Sequence, residues 1–294
     1  MRVLALFGPT AVGKTGVAIE VAERLRERGE DPVAVNCDSI QVYRGLETIS
    51  GAAGERERGA LEHRLLSFVD ISEEFSAGRY AELAHAEIDA LMRRGRRPIV
   101  VGGTGLYLRA ALAELDLRPP VPLEVREGVE RELSERGSEA LHAELDPELA
   151  ETVDPNDRKR IARLTELQRA GMEPAGGGEG LWTARLRHPA VLVGLTIDRG
   201  ELARRIDRRV EEMAAAGAGE EAERAAAAGA SRTARAALGF DGFRRGELEA
   251  VKAAHRSYAR RQLTWMRKMK GVTLIDRTGL DDRAVAERVE AALQ

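Results

Sequence analysis

The sequence predicts an α/β protein in which a parallel sheet is covered by helices on both faces and carries an all-helical insertion. Apolar strand segments alternate with amphipathic helical segments towards both ends of the chain. Several strand segments are apolar at every position, which is typical of a parallel sheet buried between two helix layers. Residues 124–186 instead show helical patterning without a convincing strand. We therefore expect one sheet-based domain interrupted by helices.

The individual elements can be placed in order along the chain. Strands are predicted at 2–7, 32–37, 65–69, 98–101, 191–197 and 272–275, and helices at 15–28, 76–94, 106–115 and 201–216. Three prolines between residues 119 and 122 end the first α/β block, because proline interrupts the hydrogen bonding of helices and sheets. We predict a discontinuous core domain, residues 1–115 and 190–294, and a helical insertion, residues 116–189.

The composition predicts a cytoplasmic protein without a membrane partner. Of the 294 residues 43% are apolar, but no apolar run approaches the ~18 residues of a membrane-spanning helix. The single cysteine, Cys37, excludes an internal disulfide and a cysteine-based zinc site. Because a strand is predicted from residue 2, we expect no secretory signal. A monomer is expected.

The formal charge of −3 conceals two basic segments. Residues 252–270 carry seven lysines and arginines and no acid, and residues 158–163 carry four more. Clusters of this kind contact nucleic-acid phosphates in many proteins. They also occur as ordinary solvated helix faces, and the sequence leaves both interpretations open for each segment.

The most specific motif follows the first strand. Residues 8–15 fill every fixed position of G-x-x-x-x-G-K-[ST], the phosphate-binding loop (P-loop) of P-loop NTPases. Glycines let backbone N–H groups surround a diphosphate, the lysine adds a positive charge, and the final hydroxyl can bind Mg²⁺. We predict that Thr15 holds Mg²⁺ and that the diphosphate or a nucleotide such as ATP contacts Gly8, Pro9, Thr10, Ala11, Val12, Gly13, Lys14 and Thr15.

Two further strand ends carry polar residues. Asp38 follows the second strand, and Gly102, Gly103 and Thr104 follow the fourth. The carboxyl ends of parallel strands meet at one edge of the sheet, where ligands bind. The fourth strand ends without the acid that most P-loop NTPases place there to hold Mg²⁺ through water. This absence makes a motor protein or GTPase a poor match.

Taken together, five motifs resemble those of the bacterial tRNA dimethylallyltransferase family, also called tRNA isopentenyltransferases. They are residues 8–15 (GPTAVGKT), 38–44 (DSIQVYR), 102–108 (GGTGLYL), 156–163 (NDRKRIAR) and 260–265 (RRQLTW). The resemblance implies a P-loop core with a helical insertion that grips the anticodon stem. It also implies Mg²⁺-dependent transfer of a dimethylallyl group from dimethylallyl diphosphate to the adenosine immediately 3′ of the tRNA anticodon.

The resemblance also implies catalytic roles for three residues. Lys14 would stabilise the departing diphosphate, and Asp38 would accept a proton from the exocyclic amine of adenine. A turn cap or a Mg²⁺ ligand is the alternative role for Asp38. Thr104 would contact the attacking amine, and a helix N-cap is its alternative role.

Other implied contacts fall into two groups. Arg205 and Arg209 match arginines that neutralise the diphosphate, unless they only form ion pairs with Glu201 or Glu212. The implied tRNA contacts are Asp38, Ser39, Ile40, Gln41, Thr104, Arg126, Lys159, Arg160, Ile161, Ala162 and Arg163.

Some features depart from the family or have a simpler explanation. Residues 45–53 read GLETISGAA, whereas the family has a GLDIGTAKP-like segment, so a lysine and a proline are missing. The glycine-rich end of the insertion, residues 171–182, is expected to be mobile. Tyr258 and Trp265 are expected to pack in the core in preference to stacking on RNA.

Three other functions compete with this interpretation. A P-loop small-molecule kinase is compatible with the motif, but it leaves the basic segments unexplained. A regulatory RNA-binding module does not require an intact lysine and threonine in the loop. Isopentenyl transfer to free adenine nucleotides keeps the chemistry, but a mononucleotide needs no helical arm.

Overall fold

The computed structural model describes residues 1–115, 117, 121–173 and 185–293. Within them, six strands form one sheet in the order β3-β2-β4-β1-β5-β6, and every pairing is parallel. The strands are β1 Val3–Phe7, β2 Pro32–Asn36, β3 His63–Arg64, β4 Arg97–Gly102, β5 Ala190–Thr196 and β6 Val272–Asp276.

The position of β1 determines where a ligand can bind. This strand lies between β4 and β5, whereas β2, the next strand along the chain, lies on the far side of β4. Along the chain, the strands are therefore added first on one side of β1 and later on its other side. Such a reversal opens a crevice at the carboxyl ends of the strands, and the loop after β1 lies beside it.

Helices cover both faces of this sheet. α1 (Lys14–Glu27) packs against the last helix, α14 (Asp282–Leu293), and α4 (Ala77–Arg93) packs against α5 (Gly105–Leu112). Right-handed crossovers place α1 and α4 on opposite faces. No helix in the described ranges is both long and apolar enough to cross a bilayer. The helices of this unit are α1 Lys14–Glu27, α2 Glu47–Ser50, α3 Glu55–Ala60, α4 Ala77–Arg93, α5 Gly105–Leu112, α9 Arg199–Ala215, α10 Ala218–Ala227, α11 Arg232–Arg235, α12 Phe240–Arg244, α13 Leu248–Lys268 and α14 Asp282–Leu293.

The insertion forms a second compact unit with its own core. Its described residues form α6 Leu123–His142, α7 Pro147–Ala150 and α8 Arg158–Arg169, and they contain no strand. α6 is bent at Gly137, where φ is 81°. The core consists of Val129, Leu133, Leu141, Leu145, Val153 and Ile161. Residues 174–184, which include most of the glycine-rich tract predicted to be mobile, lie outside the described residues.

The two compact units divide close to the predicted boundaries. One comprises Met1–Leu115 and Gly180–Gln294, and the other Asp116–Glu179. The core was predicted to resume at residue 190, but the described residues just before β5 already bond to it. Arg187 N donates to Leu112 O, and Val3 N donates to Pro189 O, both at 2.9 Å.

The parallel sheet covered by helices is confirmed, but the third strand is not where the sequence predicted it. Residues 65–69 were expected to be extended, whereas β3 is only His63–Arg64. Leu65 and Ser67 have φ values of 56° and 49°, and this left-handed backbone ends the strand. Val69 keeps a single bridge to Tyr43.

Candidate active site

The loop between β1 and α1, residues 8–15, has the backbone of an anion-binding turn. Gly13 has a φ of 90°, a left-handed conformation that favours glycine, and Ala11 has a φ of 62°. α1 begins at Lys14, directly after this turn. The unpaired N–H groups of a first helical turn attract anions. The loop therefore offers the local geometry that the motif predicted.

The Lys14 side chain lies across the start of this loop. Its Nζ donates hydrogen bonds to the carbonyl oxygens of Gly8 and Pro9, both at 3.0 Å. The pKa of Lys14 is lowered to about 8, chiefly because burial removes water from the ammonium group and secondly because the Arg209 guanidinium repels it. Asp38 opposes this shift. The negative charge of a bound anion would offset both the loss of hydration and the repulsion by Arg209.

Two residues that the sequence analysis did not select hold the loop in place. Arg277 Nη1 donates to Val12 O at 2.6 Å, and Arg277 Nη2 lies 2.9 Å from Asp282 Oδ1. A Cβ atom at Gly13 would collide with Arg277, and one at Gly16 would collide with Asp282. Both glycines are therefore needed for this close approach. A single arginine after the last strand has no sequence signal that reveals such a role.

Asp38 lies in the turn after β2, and its two carboxylate oxygens differ. Oδ1 accepts hydrogen bonds from the N–H groups of Ile40 at 2.9 Å and Gln41 at 3.4 Å. Buried Asn36 supports the turn, because its Oδ1 accepts from Asp38 N and its Nδ2 donates to Leu65 O. Among the described residues, Asp38 Oδ2 has no hydrogen-bond partner. Asp38 thus caps its own turn with Oδ1 and leaves Oδ2 without a partner among the described residues.

Thr104 connects this turn to another part of the sheet edge. It occupies the N-cap position of α5, but its side chain makes no capping bond. Its Oγ1 accepts from Ser39 N at 3.3 Å and lies 3.4 Å from the Tyr258 hydroxyl. Burial, and after it the negative charge of Asp38, raises the pKa of Tyr258 to about 12, so this phenol stays protonated. The side-chain N-cap alternative for Thr104 does not hold.

The RRQLTW motif, residues 260–265, lies on α13 and reaches the same sheet edge. Gln262 is 4% exposed; its Oε1 accepts from Thr10 N at 2.8 Å, and its Nε2 donates to Gly103 O at 2.7 Å. The Trp265 ring lies so close to Gly105 that a Cβ there would collide with it. Trp265 therefore packs on α5, as the packing interpretation predicted.

The two arginines predicted to face the diphosphate behave differently. Arg205 pairs with Glu201 at 2.7 Å, which is the ion-pair alternative. Arg209 Nη2 instead lies 3.4 Å from Ser50 O and 3.3 Å from Gly51 O. Loss of hydration lowers the pKa of Arg209, and Asp38 opposes that shift. The charge on Arg209, unlike that on Arg205, acts on Lys14.

The atypical segment after Arg44 is anchored at residues 48–51. Gln41 Nε2 donates to Ser50 O at 3.3 Å and to Gly51 O at 3.1 Å. Directly before these residues, the buried carboxylate of Glu221 accepts hydrogen bonds from two N–H groups of α2, those of residues 48 and 49. The missing lysine and proline of the family pattern therefore do not leave this segment without anchors. Gln41, predicted to contact the base, is oriented by these bonds.

In the insertion, the predicted RNA-contacting side chains divide into two sets. Lys159 and Arg160 are exposed on the first turn of α8. Arg126 and Arg163 both approach Glu166, with N···O distances of 3.8 Å and 3.0 Å. The first set presents positive charge to solvent, whereas the charge of the second set is partly neutralised.

Ile161, also predicted to contact tRNA, has a different role in this structure. It is fully buried and belongs to the core of the insertion. Its side chain therefore has no surface with which to touch RNA. The helical period explains this, because residue 161 faces inward although the preceding residues 158–160 are exposed. Ala162 is partly buried and packs against the same core.

The donor groups for Mg²⁺ are few. No cluster of three or more His, Cys, Asp or Glu side chains suited to a metal occurs in the part of the chain that the structure describes. Mg²⁺ commonly keeps several waters and uses one or two protein oxygens together with substrate phosphates. The Thr15 hydroxyl, at the end of the anion-binding loop, fits such a site if the diphosphate supplies the other oxygens.

The fold and these strand ends define a class of protein. A parallel α/β sheet carries an anion-binding loop after β1, a carboxylate after β2 and a hydroxyl after β4. This arrangement suits an enzyme that transfers a group from a phosphate or diphosphate ester to a nucleophile.

Comparison with known proteins specifies the family. The sequence profile of the IPP transferase family matches residues 41–269, which is most of the chain. The tRNA dimethylallyltransferase of Anaeromyxobacter dehalogenans is 42% identical over 99% of this chain and 99% of its own length. That of Acetivibrio thermocellus is 35% identical over 95% and 93%. The chain belongs to the IPP transferase family and is therefore a transferase.

Solved structures agree with this assignment. The full-length tRNA isopentenylpyrophosphate transferase of Bacillus halodurans superposes with a TM-score of 0.70 at 30% identity, covering 99% of this chain and 96% of that one. A eukaryotic dimethylallyltransferase acting on tRNA has a TM-score of 0.73 at 24% identity, covering 94% of this chain and 74% of that one. The second likeness concerns the fold alone.

Proposed function

We propose that the protein transfers a dimethylallyl group from dimethylallyl diphosphate to the exocyclic amine of the adenosine immediately 3′ of the anticodon in tRNA. The observation that supports this most directly is the meeting of three groups at one edge of the sheet. The anion-binding loop with Lys14 lies after β1, Asp38 after β2 and Thr104 after β4. The charge of Asp38 acts on Lys14, which supports a donor site next to the acceptor site.

On the donor side, the diphosphate occupies the loop of residues 8–15. The bond between the allylic carbon and the diphosphate oxygen breaks, and its electron pair leaves with the diphosphate. Lys14 and Arg209 stabilise the negative charge that develops on this leaving group. The Thr15 hydroxyl would hold Mg²⁺, which would supply further neutralising charge for the leaving diphosphate.

On the acceptor side, the nitrogen of the adenine amine forms the new bond to the allylic carbon. This amine is a weak nucleophile because its lone pair is delocalised into the ring. Asp38 Oδ2 accepts its proton during attack, which leaves the product neutral at nitrogen. Thr104 Oγ1 orients the amine, since Ser39 and Tyr258 hold the threonine side chain.

The macromolecular acceptor is tRNA. Its target base must leave the anticodon-loop stack to reach the sheet edge, at a cost of a few kcal/mol. Phosphate contacts from Lys159, Arg160 and Arg163 offset this cost, and Arg126 contributes from α6. Ser39, Ile40 and Gln41 contact the extruded base.

Two alternative functions can be distinguished from this one by experiment. A small-molecule kinase requires ATP in the loop and a small phosphate acceptor. Transfer to free adenine nucleotides requires no second unit, yet the insertion has a core of its own and an exposed basic turn. The insertion therefore favours the tRNA acceptor.

The test uses the purified full-length protein with radiolabelled dimethylallyl diphosphate, Mg²⁺ and unmodified bulk tRNA. We expect label in a single nucleoside of the tRNA and release of one diphosphate per transfer. Parallel reactions with AMP, ADP or ATP as acceptor, and with γ-labelled ATP as donor, are expected to give no product. Label on a free nucleotide, or phosphoryl transfer, would overturn the proposal in favour of the corresponding alternative.

We further propose that the protein is a cytoplasmic monomer. Light scattering of the protein alone and with one equivalent of tRNA is expected to give masses for one chain and for one chain with one tRNA. A mass for two chains in either sample would contradict it.

A further inference from the structure

The buried amide of Gln262 joins two loops that lie far apart in the sequence. From α13 it accepts a hydrogen bond from Thr10 N, in the anion-binding loop, and donates one to Gly103 O, after β4. We infer that Gln262 is a positioning residue that fixes the anion-binding loop against the end of β4 and so sets where the diphosphate lies. This inference rests on the proposed function.

The geometry leaves Gln262 one orientation. An amide has one oxygen acceptor and one nitrogen donor, and here the acceptor faces an N–H group and the donor faces a carbonyl. Rotating the amide by half a turn would set donor against donor and acceptor against acceptor. The side chain is 4% exposed, so water cannot readily replace either partner.

The two loops are in close contact at this point. A Cβ atom at Gly103 would lie 3.3 Å from Gly8 O, and it would collide with the Gln262 amide. Glycine at residue 103 therefore leaves room for the Gln262 amide beside the backbone of both loops. This accounts for the second glycine of the Gly102–Thr104 turn.

A shift of this contact would be transmitted to the charge that binds the diphosphate. Thr10 follows Pro9, whose carbonyl oxygen accepts a bond from Lys14 Nζ, as does that of Gly8. Without Gln262, the Thr10 N–H is free to turn and carry the Pro9 carbonyl with it. The Lys14 ammonium group and the anion-binding N–H groups then lose their fixed positions relative to each other. Catalysis depends strongly on such placement, since an error of about 1 Å can cost ~10²-fold in rate.

Two variants of Gln262 separate its two hydrogen bonds. Gln262→Glu retains an acceptor for Thr10 N but sets a carboxylate oxygen against Gly103 O. Gln262→Met keeps the length of the side chain and removes both bonds. We expect kcat/KM for dimethylallyl diphosphate to fall by roughly 10- to 100-fold in both variants, and affinity for inorganic pyrophosphate to fall with it. tRNA affinity is expected to stay within twofold.

A double-mutant cycle tests whether Gly103 acts through the same interaction. Gly103→Ala alone should displace the Gln262 amide and reduce activity to a similar extent. In a Gln262→Ala background the side chain is too short to collide, so Gly103→Ala should have a much smaller further effect. Strongly non-additive effects indicate one shared interaction. Additive effects would show that the two residues act separately.

The control is a glutamine that makes the same pair of bonds elsewhere. Gln168 Oε1 accepts from Asp146 N at 2.9 Å, and its Nε2 donates to Glu144 O at 3.1 Å. Gln168→Met should leave kcat/KM for the donor unchanged. Thermal unfolding of every variant shows how much stability each glutamine contributes.

The results separate failure of this inference from failure of the proposed function. If the wild-type protein does not prenylate tRNA, the proposed function fails. If the wild-type protein is active and Gln262→Glu and Gln262→Met lower only the melting temperature, with unchanged donor kinetics and pyrophosphate affinity in the folded protein, Gln262 is merely structural and the inference is wrong.

Discussion

Asp38 uses its two carboxylate oxygens differently. Its Oδ1 accepts the N–H groups of the turn after β2, whereas its Oδ2 has no protein partner among the described residues. The turn-cap alternative and the general-base hypothesis therefore concern different oxygens of the same carboxylate. Both roles are compatible.

Asp38→Asn tests the general-base hypothesis. The amide oxygen can still hold the turn, but the NH₂ group that replaces Oδ2 cannot accept a proton. We expect the single-turnover rate of prenyl transfer to fall by ~10²–10⁴, while tRNA and the donor still bind. The rate is measured across a Mg²⁺ titration. Recovery of activity at high Mg²⁺ would identify Asp38 as a metal ligand and rule out its role as base.

The lowered pKa of Lys14 predicts how diphosphate binding depends on pH. Its pKa of about 8 means that the binding-competent ammonium predominates at pH 7 and is lost as the pH rises through 8. Because an anion favours the charged form, binding raises this pKa and takes up a proton. We expect pyrophosphate affinity to fall towards ~10-fold per pH unit above pH 8.

Calorimetric titrations between pH 6.5 and 9.5 measure this effect. Lys14→Met serves as the control, because any pH dependence that persists in this variant belongs to pyrophosphate or to other groups. A wild-type profile parallel to that of Lys14→Met would contradict the assignment.

At the scale of single elements, α8 and α13 make different use of their basic residues. α8 exposes Lys159 and Arg160 on its first turn. In α13, by contrast, Lys252 pairs with Glu211 and Glu249, and Arg256 contacts Asp207. These two residues of α13 therefore serve as ion-pair partners, whereas the exposed first turn of α8 stays a candidate for RNA contact.

Replacing the basic residues of α8 with alanine should weaken tRNA binding and its dependence on salt. Removing one side chain that neutralises a phosphate is expected to reduce the slope of log K against log salt by ~0.7–0.9. Lys159→Ala with Arg160→Ala should account for most of the change, because Arg163 is held by Glu166. Filter binding at about 50 to 300 mM salt measures this slope.

The control removes the same charge from the core unit. Arg244 and Arg245 pair with Glu223 and Glu247, so Arg244→Ala with Arg245→Ala should leave the slope unchanged. Equal slopes for the wild type and the α8 variant would mean that α8 presents an ordinary solvated face.

At the scale of the whole molecule, the chain forms two compact units, each with a core of its own. The proposed donor site lies entirely in the core unit, whereas the exposed basic turn of α8 lies in the insertion. This division predicts that damage to one unit affects one substrate more than the other.

Leu133→Ala tests this division. Leu133 is 2% exposed in the insertion core, and removing such a side chain costs about 2–5 kcal/mol. We expect hydrogen exchange to accelerate in the insertion while the core strands stay protected. tRNA affinity should fall, and pyrophosphate affinity should not.

Leu25→Ala is the matched variant in the core unit, since Leu25 is also 2% exposed. It should destabilise the sheet and its helices and leave exchange in the insertion unchanged. Loss of protection throughout the chain in both variants would show that the two units unfold together.

The sequence by itself determined the features that arise from local patterns. Apolar runs alternating with helical periods specified the parallel sheet, and the spacing of two glycines, a lysine and a threonine specified the loop after β1. The third strand was misplaced because Leu65 and Ser67 adopt left-handed backbone conformations. Asn36, whose Nδ2 donates to Leu65 O, helps to hold that backbone, and the local sequence contains no sign of this contact.

Only the tertiary structure decided which side chains complete the site. Gln262 and Arg277 bond to the loop of residues 8–15 from more than 240 positions away in the sequence. Tyr258 likewise approaches Thr104 from a distant helix. A residue's type and spacing indicate its local conformation, but its partners depend on how distant helices and strands pack. The burial of Ile161 and the pairing of Arg205 follow from the same cause, because packing determines which side of a helix faces solvent or a neighbour.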